Sequence, residues 1–376
     1  MIYKPFQNIQ LSALGLGAMR LPVIDGKMEA IDEAAACEMI NHAMEQGVNY
    51  YDTAWGYHGG SSEEVLGRAL KRYPRERFYL ADKFPGYDLE NMDKAAEIFN
   101  QQLEKCQVDY FDFYLFHNVY EQNIQAYLDP QYHIFEYLTE QKAAGRIKHL
   151  GFSAHGSIAV MERFLKAYGD AMEFCQIQLN YLDWTLQDAK AKVKLLQEWN
   201  IPIWVMEPLR GGRLANLTEE QAAQLSALRP GETAVSLAFR FLQALPGVTV
   251  ILSGMSNLAQ LNANLETFQT DAPLDAQETA KLLALVPKLL DRDAAPCTAC
   301  RYCTGYCPQA LDIPMLLRLY NERLFAGGGS GIPPALAVLS TEKWPSACIA
   351  CRSCERVCPQ QIKISNILDA FAKTIK

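Results

Sequence analysis

Tyr110–His117, YFDFYLFH, and Ile201–Met206, IPIWVM, are near-continuous apolar runs with almost no polar alternation. A strand solvated on one face alternates apolar and polar residues, whereas runs like these suit parallel strands buried on both faces. Working outward, further strand-like runs fall at Leu14–Leu21, Val48–Thr53, Phe78–Lys83, His149–Ser153, Cys175–Asn180 and Val248–Gly254, and the IPIWVM run extends to Pro208. Amphipathic stretches separate them, among them Glu33–Gln46, Ser62–Tyr73, Met92–Lys105, Tyr132–Ala144 and Gln187–Trp199. Eight β–α units in roughly 250 residues match, in number and length, a closed (β/α)8 or TIM barrel of the α/β class. A doubly wound open sheet is the runner-up. It is disfavoured because no G-x-G-x-x-G turn follows the first strand, and LGLGAM lies within that strand. Tyr3–Leu11 reads as a hairpin closing the barrel bottom.

The C-terminal part is organised differently. Cys297, Cys300, Cys303 and Cys307 are followed by Pro308, and Cys348, Cys351, Cys354 and Cys358 by Pro359. The pattern C-x2-C-x2-C-x3-C-P is thus written twice. It resembles the ligand run of bacterial two-cluster ferredoxins and predicts two [4Fe–4S] clusters. Two-residue gaps wrap three thiolates around one face of a cubane, and the proline stops helix from running on through the ligand. Zinc sites show separated C-x2-C knuckles instead, and disulfide frameworks belong to short secreted chains. The resemblance to ferredoxins implies that each fourth cysteine serves the other run's cluster. That groups Cys297, Cys300, Cys303 and Cys358 around one cubane, and Cys348, Cys351, Cys354 and Cys307 around the second. Cys37, Cys106 and Cys175 lie in apolar patterns and read as core thiols.

These signals divide the chain into a barrel at 1–273, a connecting helix within 274–293 (Asp275–Leu290) and a small, mainly helical two-cluster domain at 294–376. Within the last, Ile313–Phe325 reads as helix and Ala326–Pro334 as a turning stretch. With 49% hydrophobic and 21% charged residues, the composition is that of a globular protein. No apolar stretch reaches the length of a membrane span, and the MIYKPFQNIQ start carries no secretory h-region. Net charge is −8, yet the segment from Ala294 onward holds nine Lys and Arg against five Asp and Glu. A cubane with its thiolates carries about −2, so this excess is expected to offset the clusters rather than bind nucleic acid. Reduced thiols and oxygen-labile clusters point to the cytoplasm of an anaerobic or facultative organism.

In a (β/α)8 enzyme the chemistry sits at the C-terminal strand ends. Asp52 ends the second barrel strand, Tyr57 lies in the loop after it, Lys83 ends the third and His117 ends the fourth. Together they make a carbonyl-reducing acid. A tyrosine of pKa about 10 is a poor donor at neutral pH. A neighbouring Lys⁺ is expected to lower that pKa, with the aspartate keeping the lysine charged and oriented. A histidine on the other side can hydrogen-bond the carbonyl oxygen.

The stretches NYYDTAWGYHGGSSEEVLGRAL, LADKF, YLFHN, GFSAHG, QIQLNYLD and VMEPLRGGRL resemble, in order, the blocks of the aldo/keto reductase superfamily over about residues 1–270. The tail resembles the ferredoxin-like extension of that family's iron–sulfur branch. The resemblance implies a catalytic tetrad of Asp52, Tyr57, Lys83 and His117, with Tyr57 as general acid. It implies that Ser153, Gln178 and Asn180 bind the nicotinamide carboxamide. The Leu209–Leu214 loop, with Leu209, Arg210, Gly212 and Arg213, would follow the pyrophosphate, with Arg210 or Arg213 supplying charge. Ser253, Gly254, Ser256, Gln260 and Asn264 would surround the adenosine. Two departures stand out. Met206 occupies a position where many members stack an aromatic on the nicotinamide. The stretch SGMSNLAQLNANLETF contains no basic residue to meet a 2′-phosphate, which leaves NADH, NADPH and flavin open.

Hydride transfer moves two electrons and needs no cubane, whereas cubanes move one electron at a time. The sequence therefore carries competing accounts. One is a nicotinamide-dependent reductase of a small carbonyl compound, or oxidant of the alcohol, with the Asn118–Pro130 loop in its pocket wall. A second is an electron-transfer oxidoreductase whose clusters join a ferredoxin-like partner protein to a flavin or unusual substrate. A non-enzymatic redox sensor ranks last, because all four tetrad positions are filled.

Overall fold

The computed structural model describes residues 1–289, 294, 295, 297, 303–325, 332–337, 339–358 and 360–375. Ten strands run in chain order: β1 Tyr3–Phe6, β2 Ile9–Ser12, β3 Leu14–Gly17, β4 Tyr50–Asp52, β5 Tyr79–Phe84, β6 Phe111–Val119, β7 Ile147–Ala154, β8 Phe174–Gln178, β9 Ile203–Met206 and β10 Val248–Ser253. β3 to β10 are all parallel and close into an eight-stranded barrel, with β10 pairing back onto β3. β1 and β2 form a separate antiparallel hairpin. The apolar runs are strands for the expected reason, since Phe111, Phe113, Tyr114, Leu115 and Phe116 are all fully buried.

The hairpin supplies a plug. Phe6 packs into a core formed by Tyr50, Phe113, Phe174, Trp204 and Val250, and its ring lies 5.1 Å from Trp204 and 5.6 Å from Phe113. Phe113 also meets Tyr50, His149 and Phe174, so it is the hub of this layer. Helices begin where side chains can satisfy their open amides. Asp32 accepts from the Ala35 amide ahead of Glu33–Glu45, and Thr233 and Ser236 form a capping box at Ala234–Gln243. The first strand is shorter than its sequence suggests, because Ala18–Arg20 turns into a 3-10 helix at the barrel mouth.

The chain separates into two compact units. One comprises Met1–Ala215 with Leu225–Ala280, and the other Asn216–Gln224 with Lys281–Lys376. The described residues of the second unit contain helices and turns but no strand. Ile313–Phe325 is helical as its sequence indicates, and Ile364–Thr374 packs on it through Leu316, Tyr320, Leu368 and Phe371. The Asp275–Leu290 expectation appears as a helix over Ala276–Leu289. Most of the Ala326–Pro334 stretch lies outside the described residues, as do Cys300 and Pro359.

Truncating the hub of the barrel plug removes ring contacts on several sides at once. Phe113→Ala is expected to destabilise the barrel by about 3–5 kcal/mol, read as a lowered midpoint in chemical unfolding followed by tryptophan fluorescence.

Candidate active site and cysteine cavity

Strand register brings the tetrad to one rim. Asp52 pairs with Gly17 on β3 and Ala81 on β5, and Lys83 lies opposite Leu115 on β6, two residues before His117. Lys83 Nζ donates to Asp52 Oδ1 at 2.7 Å and to the Thr53 carbonyl at 2.6 Å, with lysine and carboxylate both buried. The same ammonium lies 5.0 Å from the centre of the Tyr57 ring. Tyr57 and His117 meet edge to face at 6.2 Å. The structure thus collects all four residues that the sequence singles out.

Electrostatics divides their roles. Burial works against the Lys83 charge, but Asp52 and the Tyr57 hydroxyl outweigh it and hold the ammonium protonated above its ordinary range. Burial also pushes the Tyr57 hydroxyl up, while Lys83 pulls it down. The net direction is upward, a correction to the expected lowering. Removing a phenolate from water costs more here than one cation 5.0 Å from the ring centre returns. His117 is pushed well below the usual imidazole range by burial, by Lys83 and by His155, so it stays neutral. Its Nδ1 finds no hydrogen-bond partner among the described residues.

Several supporting residues were not legible as such in the sequence. His58 adopts φ 53° immediately after Tyr57 and is buried. Its Nε2 accepts from the Leu21 amide at 3.1 Å, so Nδ1 carries the proton and donates to the Met28 carbonyl at 2.6 Å. These two bonds pin the loop that carries Tyr57. Tyr87, beyond β5, packs edge to face on His117 at 5.1 Å, and its hydroxyl pKa is pushed up to about 12 by burial and by Tyr57. Gly56 is glycine because a Cβ there would sit 2.5 Å from the Tyr87 hydroxyl oxygen.

Behind Lys83 lies a buried polar knot. Gln102 Nε2 is shared among Glu63 Oε1, Asp82 Oδ1 and the Lys83 carbonyl, at 3.0–3.1 Å. Lys105 neutralises Glu63 at 2.9 Å, and Tyr114 donates to Gln102 Oε1. Burial, and then the nearby Glu63 charge, push the Asp82 carboxyl well above its ordinary range, which favours its protonated form.

The residues expected around a cofactor are placed as follows. Ser153 Oγ accepts from the Asn118 amide at 2.7 Å. Gln178 and Asn180 both donate to Asp183 Oδ2, at 2.8 and 2.7 Å. Arg210 donates to Asp183 Oδ1 at 2.8 Å, so its charge is directed into this buried network. Met206 Sδ lies 3.7 Å from Gln176 Nε2. Leu209, Gly212 and Arg213 belong to a turn in which Gly211 and Gly212 take φ 64° and 94°. Ser253 Oγ accepts from Asn264 at 3.1 Å, and Gln260 Oε1 accepts from the Ser256 amide at 2.8 Å.

In the second unit, Cys307, Cys348, Cys351 and Cys354 line one cavity of about 320 Å³, counted with its open mouth. Ile313, Ser365 and Leu368 complete part of its wall. Three of these thiols come from one cysteine run and one from the other. Cys351 is exposed, and the Ser353 amide and hydroxyl favour its thiolate, the form that ligates iron. Cys354 is buried and pushed up to about 11 by that burial and by neighbouring Glu355, Cys348 and Cys303. Cys297 and Cys358 are half-buried against the same small core that buries Cys303. Cys300 lies outside the described residues. Among the described residues, no three His, Cys, Asp or Glu side chains close around a point that would hold a single metal ion.

Comparison with known proteins agrees with both units. Residues 13–286 match the aldo/keto reductase family, and residues 296–363 match a 4Fe-4S dicluster domain. The chain is 25% identical over 278 residues to L-galactose dehydrogenase of Arabidopsis thaliana, covering 69% of this chain and 84% of that one. It is 26% identical over 227 residues to an NADH-specific methylglyoxal reductase of Escherichia coli (strain K12), covering 55% and 66%. An aldo-keto reductase from Bacillus halodurans in its holo form superposes with a TM-score of 0.61 at 26% identity, over 76% of this chain and 96% of that one. A Klebsiella pneumoniae aldo-keto reductase in complex with NADPH shares the fold, with a TM-score of 0.61 at 21% identity over 76% of this chain and 96% of that one. The protein belongs to the aldo/keto reductase family. Within it, this chain is an iron–sulfur-containing oxidoreductase. Among the described residues, no helix is long and apolar enough to cross a membrane.

Asp82 offers a test of the knot. The fold favours a proton on this carboxyl that an unfolded chain releases above about pH 4, so its contribution to stability is present below that pH and lost as pH rises. Asp82→Asn cannot ionise and lacks this penalty. The melting midpoint of the variant is expected to gain on the wild type from about pH 5 to about pH 8; a gap that stays constant would mean Asp82 is ionised in the fold.

Proposed function

We propose that the barrel reduces the carbonyl of a small molecule, or oxidises the corresponding alcohol, with a nicotinamide dinucleotide as redox partner and Tyr57 as general acid. The observation that carries this reading is the Lys83–Asp52 ion pair set against Tyr57 and a neutral His117. When bound, the nicotinamide supplies or accepts the hydride. Tyr57 Oη gives its proton to the carbonyl oxygen as negative charge develops there. Lys83 stabilises the phenolate left behind, and Asp52 keeps that ammonium charged and fixed. Because burial alone leaves Tyr57 a weak acid, proton transfer waits for the developing alkoxide, which is a far stronger base than the carbonyl. Neutral His117 can donate one hydrogen bond to the same oxygen and so orient it. Ser153, Gln178, Asn180 and Met206 would bind the nicotinamide end. Leu209, Gly212 and Arg213 would lie along the pyrophosphate, and Ser253, Gly254, Ser256, Gln260 and Asn264 near the adenosine. The substrate is expected against Tyr87 and the Asn118–Pro130 loop.

In the second unit, the eight cysteines of the two runs are assigned to two [4Fe–4S] clusters, with Cys307 serving the cluster of Cys348, Cys351 and Cys354. A cavity ringed by those four thiols supports this grouping.

Tyr57→Phe is expected to lower carbonyl reduction by about 10²–10⁴-fold without changing nicotinamide affinity; retention of full activity sinks the role given to Tyr57. With His117 already neutral, the pH profile of reduction should show no limb near pH 6.5, the ordinary imidazole value. Each cubane holds four irons, so the wild-type chain is expected to bind about eight. Cys307→Ala combined with Cys348→Ala should still retain about four, because both cysteines serve one cluster. Loss of nearly all iron from that double variant would mean that they serve different clusters.

A further inference from the structure

The stretch assigned to the adenosine end has no basic residue, and Arg210 of the pyrophosphate turn is drawn into the Asp183 network. That leaves Arg213 as the cation of those segments, and a dinucleotide with two phosphate charges gains from a second one. The fold brings in a cation from elsewhere. Arg20 ends the 3-10 turn that follows β3, more than 180 residues away in sequence from both cofactor loops. Its side chain is exposed, and among the described residues its guanidinium makes no ion pair or hydrogen bond.

Three contacts fix where that guanidinium lies. Ser256 Oγ donates to the Arg20 carbonyl at 2.9 Å, tying the turn to the loop after β10. The aliphatic stem runs flat over Gly254, where a Cβ would come within 3.2–3.4 Å of Arg20 Cβ, Cγ and Cδ. The far end reaches the other loop, with Nη2 3.5 Å from a Cβ placed on Gly211. Arg20 therefore bridges two glycine-bearing loops.

We propose that Arg20 is a second cation, beside Arg213, that grips the pyrophosphate of the bound dinucleotide, a role that rests on the nicotinamide reading above. A planar guanidinium with several unshared N–H donors matches phosphate oxygens at two points at once. The pyrophosphate is favoured over the 2′-phosphate by position. Arg20 ends at Gly211, in the turn between β9 and the next helix, whereas the adenosine side, at Gln260 and Asn264, is closed by neutral internal hydrogen bonds.

The test uses the full chain, purified anaerobically, with NADH, NADPH, ADP and adenosine titrated calorimetrically into wild type, Arg20→Gln and Arg20→Lys. Because Arg20 is exposed, the variants are expected to fold, and their iron content and circular dichroism check this. The expected result is that Arg20→Gln weakens NADH, NADPH and ADP alike, by about ten- to a hundredfold. Adenosine, which carries no phosphate, should bind as before, and Arg20→Lys should recover part of the loss. Unchanged affinities overturn the proposal, and so does a loss confined to NADPH, which would place Arg20 on the 2′-phosphate. Wild-type protein that binds neither NADH nor NADPH overturns the nicotinamide reading itself, and the role of Arg20 with it.

Discussion

The ion pair between Lys83 and Asp52 is the constraint around which the barrel rim is organised. Both partners are removed from water, and the ammonium is also tied to the Thr53 carbonyl. Such a pair gains little over a well-packed apolar substitute, yet losing one partner leaves an uncompensated buried charge at a cost of about 3–5 kcal/mol. Its presence at the ends of β4 and β5 therefore makes sense only if the charge is used, and the residue it faces is Tyr57. The surrounding polar groups are arranged to keep this one cation in place. Gln102 ties the Lys83 carbonyl to Glu63 and Asp82, so the backbone from which the lysine projects is held as firmly as its head.

The balance on Tyr57 has a mechanistic meaning. A site that lowered a tyrosine pKa far enough would hold it as phenolate and leave no proton to give. Here burial keeps the proton on the hydroxyl, and in the proposed reaction Lys83 would meet the anion left behind. His117 is desolvated into its neutral form by the same surroundings, so it adds a hydrogen-bonding group without a second positive charge. Burial thus favours the neutral form of both Tyr57 and His117 beside the same cation.

What the sequence revealed followed from periodicity and spacing. Runs such as FDFYLF could only be doubly buried strands, and the tetrad sat at their ends where the register later placed it. Two cysteine runs with identical gaps likewise needed no coordinates. The remainder depended on convergence, which a linear pattern does not display. Glu63, Asp82 and Gln102 are separated by nineteen or more residues in sequence and read singly as surface or capping groups, yet they share one buried amide. Nothing in the sequence marks His58 beside Tyr57; its part comes from two ring nitrogens bonded to separate backbone groups. Arg20 was hidden because the first strand was read through to Leu21, which would have locked the arginine into a sheet. In the structure the strand stops at Gly17 and the chain turns across the mouth.

The cysteine cavity has a consequence for assembly. Its wall takes Cys307 from one run and Cys348, Cys351 and Cys354 from the other, so the two runs must be brought together before four thiols face one space. The residues between them form a loop whose closure costs entropy that grows only with the logarithm of its length. An inorganic group seated there would act as a staple across that loop and repay this closure entropy in a single step. The helix Ile313–Phe325, which occupies the loop and packs on Ile364–Thr374, would then be locked into its small core by mineral rather than by hydrophobic area alone. Metal supply during synthesis would therefore decide whether this unit matures, while the barrel, whose core is built from its own side chains, folds regardless of it.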